Sequence, residues 1–128
     1  MKIEHTAYQL ADPVAAAQWY VTHLGLTVRR SQPDPPFVHF LADDGGAVML
    51  EFYRSDKVEV PDYHTLHPLV FHLAFATDDV AAARARLLAA GATAEGEVTA
   101  TPAGDQMAML RDPWGLPLQL VSRRLRMI

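Results

Sequence analysis

Two histidines occupy equivalent places in the two halves of this chain, and each is followed by a second side chain that can bind a metal. Glu51 lies 46 residues after His5, and Gln119 lies 47 residues after His72. Two imidazoles and a carboxylate form the facial triad of non-haem Fe(II) sites, and with further oxygen ligands they also accommodate Zn, Ni, Co or Mn. The amide oxygen of glutamine can serve as such a ligand. The spacing therefore predicts a site for a divalent metal whose identity the ligand types leave open.

The first half of the chain predicts a strand, a helix and three further strands. The helix has Asp12 as its N-cap and Pro13 at its first position, and Gly25 ends it in the left-handed conformation. The residues on its predicted core face are Val14, Ala17, Val21 and Leu24. The strand candidates are residues 3–9, 26–30, 37–41 and 47–53. The order is βαβββ.

The second half predicts the same order. Asp78 is the expected N-cap of its helix, and Gly91 is expected to end it. The predicted core face of this helix consists of Val80, Ala83, Leu87 and Ala90. The strand candidates are residues 70–76, 93–98, 106–110 and 116–122, and a turn at residues 112–115 joins the last two. Because the two halves share one pattern, an internal repeat is predicted.

The repeat predicts one domain made of two modules. Module 1 covers residues 1–53 and module 2 covers residues 69–122, with a linker at residues 54–68 and a C-terminal tail at residues 123–128. A unit of about 60 residues buries too little surface to be stable unless it is paired, so the modules are expected to fold together. The linker has no periodicity, and at this length it is either a functional loop or an exposed connector.

Small residues beside each histidine predict a hollow at the metal. Side chains in a strand alternate between faces, so His5 shares a face with Ala7, and His72 shares one with Ala74. The opposite face of the second strand carries large apolar side chains, which suit a helix packed on it: Phe71, Leu73 and Phe75.

Composition excludes several classes of protein. Half of the 128 residues are hydrophobic and 20% are charged, the balance of an ordinary folded domain. The chain has no cysteine, so disulfides, thiolate metal sites and cysteine nucleophiles are excluded. A net charge of −4 argues against nucleic-acid binding. The absence of long apolar runs predicts no membrane partner, and with no hydrophobic leader at the N-terminus a cytoplasmic location is expected. The chain contains no phosphate-binding glycine motif, so a nucleotide cofactor is not expected.

The order and spacing of several short motifs resemble the vicinal oxygen chelate superfamily. This superfamily includes glyoxalase I, extradiol dioxygenases, methylmalonyl-CoA epimerase, and the fosfomycin and bleomycin resistance proteins. The motifs span nearly the whole chain; they are Ile3-Glu4-His5, His23-Leu24-Gly25-Leu26, Val48-Met49-Leu50-Glu51, Phe71-His72-Leu73-Ala74-Phe75 with Asp78-Asp79, and Asp112-Pro113-Trp114-Gly115 running into Gln119.

The resemblance implies an α+β fold in which two βαβββ modules form a curved mixed sheet around a cup. It also implies that a divalent metal lies on the floor of the cup, held by His5, Glu51, His72 and Gln119. By the same resemblance, and because two-fold assemblies are common, a homodimer is expected. The cup is then built within one chain or across two subunits.

Gln119 departs from the commonest pattern of the superfamily, which has glutamate at this position. An amide oxygen can bind a metal but does not accept a proton at neutral pH, so Glu51 is the predicted catalytic base. A divalent ion with one carboxylate ligand keeps a net positive charge, which stabilises a developing oxyanion. Alternatively, Gln119 is a hydrogen-bonding residue in a site that has lost its metal.

The resulting functional prediction is a metal-dependent enzyme of glyoxalase or dioxygenase type that acts on a small oxygenated substrate. Lyase or isomerase chemistry is favoured, with an extradiol-type dioxygenase as a variant. The competing class is a non-catalytic protein that sequesters an antibiotic or another small ligand, as bleomycin-binding members of the superfamily do. The presence or absence of a bound divalent ion distinguishes the two classes.

Overall fold

A computed structural model describes residues 1–127 and divides the chain into two compact units, Met1–Pro61 and a second unit that begins at Asp62. The boundary falls inside the predicted linker. The last residue of the predicted tail, residue 128, lies outside the described residues. Within the described part, no helix has the length and apolar character needed to span a membrane.

The first unit contains the predicted βαβββ order. Its elements are β1 (His5–Gln9), α1 (Pro13–Leu24), β2 (Thr27–Ser31), β3 (His39–Ala42) and β4 (Met49–Tyr53). The strands lie in the order β1-β4-β3-β2, with β1 parallel to β4 and the other neighbours antiparallel. One parallel pair in an otherwise antiparallel sheet follows from the helix that connects β1 to the rest, because a parallel connection requires a crossover.

The second unit repeats this order with one strand divided. Its elements are a 3-10 helix (Tyr63–Thr65), β5 (Leu73–Ala76), α2 (Val80–Ala89), β6 (Thr93–Ala94), β7 (Thr99–Ala100), β8 (Gln106–Arg111) and β9 (Pro117–Ser122). The sheet order is β5-β9-β8-β6, and β7 also pairs with β8. The predicted continuous strand 93–98 is wrong: it is a strand only at Thr93–Ala94, Gly96 with a φ of 94° interrupts it, and β7 begins one residue after its predicted end. Two helices with mixed sheets confirm the α+β class.

Helix α1 begins and ends as predicted, and Ala17 is buried as predicted, but the rest of its buried face differs. The Asp12 side chain accepts a hydrogen bond from the backbone N–H of Ala15 at 2.9 Å, and Gly25 has a φ of 74°. Val14, predicted to be in the core, is 49% exposed, whereas Tyr20 is fully buried. The Tyr20 ring contacts that of Phe52 edge to face, with centroids 4.8 Å apart. The helix is turned toward its aromatic side because burying a tyrosine removes more apolar surface than burying a valine.

Helix α2 is capped one residue later than predicted. The N-cap is Asp79, whose side chain accepts from the backbone N–H of Ala82 at 2.9 Å, so the prediction of Asp78 is wrong. The correction brings the two caps into the same spacing as the two histidines, because Asp79 follows Asp12 by 67 residues and His72 follows His5 by 67. The helix ends before Gly91, which has the predicted positive φ, at 99°.

A buried arginine fastens the 3-10 helix to the turn before β9. The Arg111 guanidinium donates to the carbonyl oxygens of Tyr63 at 2.8 Å, Leu66 at 2.9 Å and Gly115 at 3.2 Å, and it pairs with the Glu95 carboxylate. Only 7% of this residue is exposed. These donors tie carbonyl groups of the linker and of the turn to one buried side chain, so the second half of the predicted linker is a fixed part of the second unit.

The beginning of the C-terminal tail is held by the carboxylate of Asp105. Asp105 accepts hydrogen bonds from Nη1 of Arg123 at 2.8 Å and from the backbone N–H of Arg124 at 3.0 Å. The bond from Arg123, followed by that from Arg124, lowers the pKa of Asp105 below its ordinary value of 3.8. The ionised form is therefore the one that the folded state favours.

We expect Asp105→Asn to lower the free energy of unfolding at pH 7 and to have a vanishing effect in acid. A carboxyl group whose pKa is depressed by folding contributes stability above its unfolded pKa, and this stability is lost as the pH falls through the folded pKa. The difference between wild type and variant should therefore disappear below pH 3.8. Urea unfolding at several pH values measures it, with Asp56→Asn, at an exposed aspartate, as control. A difference that persists unchanged in acid would contradict this assignment.

Candidate functional site

The structure brings His5 and Glu51 together on one face of the first sheet. His5 is the first residue of β1, and Glu51 is the middle residue of β4. The parallel register pairs Ala7 with Glu51, so Glu51 and His5 lie on the same side of the sheet, separated by one pleat. Nε2 of His5 is 3.2 Å from Oε2 of Glu51. This spacing suits a hydrogen bond from the Nε2–H group to the carboxylate, and it also suits two ligand atoms of one ion.

Phe40 forms an apolar wall beside this pair. Its ring lies 5.4 Å from the His5 ring at an interplanar angle of 78°, and its backbone is paired with Glu51 in the β3–β4 register. Sequence analysis did not single out Phe40. The alternation of faces along the predicted strand 37–41 was the signal, because it places Phe40 on the face opposite to His39.

Glu4 contacts the other nitrogen of the His5 ring. Nδ1 of His5 is hydrogen-bonded to the Glu4 carboxylate. This bond raises the pKa of His5 above 6.5; partial desolvation opposes the shift, and the charges of Glu4 and Glu51 support it. The imidazole is thus held between two carboxylates, with Nδ1 toward Glu4 and Nε2 toward Glu51.

The second unit presents His72 in a similar manner. His72 immediately precedes β5, and Nδ1 lies 2.8 Å from the carbonyl oxygen of Pro68. A carbonyl only accepts, so Nδ1 carries the proton and the lone pair of the neutral ring is on Nε2. Such a backbone anchor on the other nitrogen is typical of metal-binding histidines.

The strand registers make the two halves equivalent at the predicted ligands. In the second sheet Ala74 is paired with Gln119, as Ala7 is paired with Glu51 in the first. In each case the paired alanine is the second residue after the histidine. The side chain of Gln119 is therefore the counterpart of Glu51, and this correspondence does not depend on how the two units are arranged.

The donor chemistry fits a divalent ion, but the described residues do not form a complete cluster. Two imidazole Nε2 atoms, a carboxylate and an amide oxygen are suitable ligands. His5 and Glu51 belong to the first unit, and His72 and Gln119 belong to the second. Among residues 1–127, no three histidine, aspartate or glutamate side chains are grouped closely enough to hold a metal. The assignment of all four residues to one ion stays a prediction.

The first part of the predicted linker forms one wall of a cleft in the first unit. Residues 54–60 and residues 35–37 line this cleft, whose volume is about 710 Å³. The side chain of Gln9 is 5% exposed and holds the wall in place, because it donates to the carbonyl oxygen of Val58 at 2.6 Å and accepts from the backbone N–H of Ser55 at 3.2 Å. This segment is therefore more ordered than a simple connector.

Solved structures with the same fold include proteins of different activity. TnmS3, an antibiotic binding protein from Streptomyces sp. CB03234, is 26% identical, with 96% of each chain covered and a TM-score of 0.73. SMU.1112c is 30% identical, with 94% of this chain and 98% of that chain covered and a TM-score of 0.72. A glyoxalase I mutant from Zea mays is 22% identical with a TM-score of 0.74, and the match covers 94% of this chain and 44% of that chain. No curated protein sequence matches the chain.

A family model provides the assignment that these structural likenesses support. The model of the Glyoxalase/Bleomycin resistance protein/Dioxygenase superfamily matches residues 2–120. The matched region includes both histidines, Glu51 and Gln119, as well as both βαβββ units. With this match over nearly its whole length, the chain belongs to the Glyoxalase/Bleomycin resistance protein/Dioxygenase superfamily.

Proposed function

We propose that this protein is a metal-dependent enzyme in which His5, Glu51, His72 and Gln119 hold one divalent ion. The observation that carries the proposal is the approach of His5 Nε2 to Glu51 Oε2 at 3.2 Å, at positions that the strand register repeats in the second unit. The positions of these two residues recur in the second unit as those of His72 and Gln119. Zn, Ni, Fe, Co and Mn are all compatible with these ligands.

The proposed substrate is a small molecule with two neighbouring oxygen atoms, and the chemistry is of lyase or isomerase type. When bound, the ion supplies polarisation of a substrate carbonyl. Glu51 removes a proton from the carbon next to that carbonyl and returns it, since Gln119 has no basic group. Phe40 excludes water from one side of the site, which strengthens the electrostatic interactions of the charged groups.

Metal uptake by the wild-type protein is the test of this proposal. The protein is stripped with a chelator, dialysed, and reloaded separately with Zn²⁺, Ni²⁺, Co²⁺, Fe²⁺ and Mn²⁺. We expect at least one of these ions to be retained at about one per chain, as measured by elemental analysis after gel filtration. A protein that retains none of them would contradict the proposed function.

Glu51→Gln tests Glu51 as the base when wild type and variant are compared at saturating metal, because the variant loses the single carboxylate among the predicted ligands. Glutamine keeps an oxygen ligand of nearly the same shape but does not accept a proton, so we expect proton transfer to slow by at least about a hundredfold. The readout is hydrogen–deuterium exchange at the hydroxymethyl carbons of dihydroxyacetone, which lie next to its carbonyl group. The exchange is measured by proton NMR in D2O with the metal-loaded protein. Glu59→Gln removes the same charge at an exposed position and should leave the exchange rate unchanged. Equal exchange rates for the wild type and Glu51→Gln would show that Glu51 is not the base.

The second candidate is a protein that sequesters an antibiotic without catalysis. The likeness to TnmS3, over 96% of both chains, favours it, as does the neutral Gln119 at a position where a carboxylate would bind a metal more strongly. For such a protein, we expect an antibiotic to raise the unfolding temperature by the same amount with and without a chelator. An effect that a chelator abolishes supports the enzyme instead.

A homodimer is proposed for either function, because closed two-fold assemblies are the commonest in soluble proteins. Sedimentation equilibrium over a range of concentrations measures the molecular mass directly. A mass of one chain, 14.1 kDa, at all concentrations would contradict it.

A further inference from the structure

Glu4 contacts a predicted ligand, His5, without being a predicted ligand itself. Its backbone is fixed by a hydrogen bond from the N–H of Met49 to the Glu4 carbonyl oxygen, at 2.9 Å. Its side chain, 67% exposed, accepts from Nδ1 of His5. The chain direction and the pairing with β4 thus hold the carboxylate on the side of the ring away from Glu51.

The two predicted histidine ligands are anchored at the same nitrogen by acceptors of unequal charge. Nδ1 of His72 donates to a neutral carbonyl, that of Pro68, whereas Nδ1 of His5 is bonded to the Glu4 carboxylate. Both anchors occupy Nδ1 and so leave Nε2 as the nitrogen that would bind the predicted ion. A carboxylate anchor also increases the electron density at Nε2, which makes the imidazole a stronger ligand.

The unequal anchors match the unequal ligands of the two halves. Gln119 replaces a carboxylate, so the predicted ligands carry a single negative charge, that of Glu51, against the two positive charges of the ion. Glu4 adds a second negative charge at the far side of the His5 ring. We infer that Glu4 is a positioning residue that orients His5. Through the His5 imidazole it also supplies the negative charge that Gln119 lacks.

This inference rests on the proposed metal site, and Co²⁺ affinity tests it. We expect Glu4→Gln and Glu4→Ala to raise the Kd for Co²⁺ about tenfold, at the lower end of the effects of outer-sphere partners because Glu4 is mostly exposed. The Kd is measured by titration of the stripped protein, with Glu59→Gln as the control for loss of one negative charge in the same unit. Wild type and both Glu4 variants binding Co²⁺ equally would overturn the inference. If the wild type does not bind Co²⁺, the titration uses another of the five ions, and failure of all five counts against the proposed function instead.

The tautomer of His5 tests the contact without any metal. In the neutral ring of the wild type we expect the proton on Nδ1, and in Glu4→Ala we expect it on Nε2, where Glu51 can accept it. Two-bond ¹H–¹⁵N correlation spectra of the histidine rings distinguish the two forms. A purely structural role of Glu4 would leave the tautomer unchanged, so an Nδ1 proton in both proteins would overturn the orienting role.

A double-mutant cycle tests the charge compensation. Gln119→Glu restores a carboxylate ligand, so in that background we expect Glu4→Gln to change the Co²⁺ affinity by clearly less than in the wild type. The effects of two substitutions on the binding free energy should not be additive if both residues act on one ion, whereas they should be additive if the residues are independent. Equal effects in the two backgrounds would overturn the compensation.

Discussion

Replacing either predicted histidine ligand with alanine is expected to raise the Kd for a divalent ion by about 10²–10³-fold, because about 10–16 kcal/mol for a four-ligand site corresponds to roughly 3–4 kcal/mol per ligand. The variants are His5→Ala and His72→Ala. Alanine leaves an unfilled position that water occupies less strongly than imidazole does. Retention of the ion through gel filtration should therefore be lost in both variants.

The matched control is His67→Ala, since His67 is an exposed histidine whose Nδ1 accepts only a local hydrogen bond, from the backbone N–H of Leu69 at 3.1 Å. It should bind the ion as the wild type does. Loss of affinity in His5→Ala alone would mean that the ion is held by the first unit without His72. Unchanged affinity in both variants would show that the metal, if bound, lies elsewhere.

The fold was predictable wherever a local signal determined the structure. Helix α1 begins after Asp12 and ends at Gly25 as expected, because a capping oxygen and a left-handed glycine determine the backbone within a few residues of themselves. The errors arose where two local solutions compete. Asp78 and Asp79 both suit an N-cap, and only the bond to Ala82 decides between them. The predicted core face of α1 was wrong at Val14 because the helix is oriented by Tyr20, whose position depends on Phe52 in a distant strand.

The candidate site was predictable in its pairing but not in its anchors. The approach of His5 to Glu51 follows from strand order and alternation, which periodicity reveals. The hydrogen bond from His72 to the Pro68 carbonyl depends on the path of an irregular segment, which has no hydrophobic periodicity from which its structure could be predicted. The same holds for Arg111, whose acceptors are backbone carbonyls far away in sequence. Side chain–backbone hydrogen bonds of this kind leave no pattern in the residue types, so they cannot be predicted from the sequence.

Gly115→Ala is expected to destabilise the protein by about 3 kcal/mol, the sum of a strained backbone and a steric overlap. Gly115 has a φ of 90°, in the left-handed region, where a Cβ atom costs about 1 kcal/mol. The added Cβ would also lie 2.8 Å from the backbone nitrogen of His64 and 2.7 Å from Cδ2 of its ring. The ring can turn aside, but the backbone nitrogen belongs to the 3-10 helix that Arg111 holds in place.

Gly96→Ala is the matched control, because Gly96 has a nearly identical φ of 94° with no atom within 4 Å of the added Cβ. It should cost only the backbone strain, about 1 kcal/mol. Urea unfolding followed by circular dichroism measures both variants, and the difference between them isolates the overlap with His64. If the two substitutions cost the same, the 3-10 helix yields to the methyl group, and Arg111 does not fix it against the turn. If Gly115→Ala costs about 2 kcal/mol more, the turn that leads into β9, and with it Gln119, is rigidly supported from the linker side.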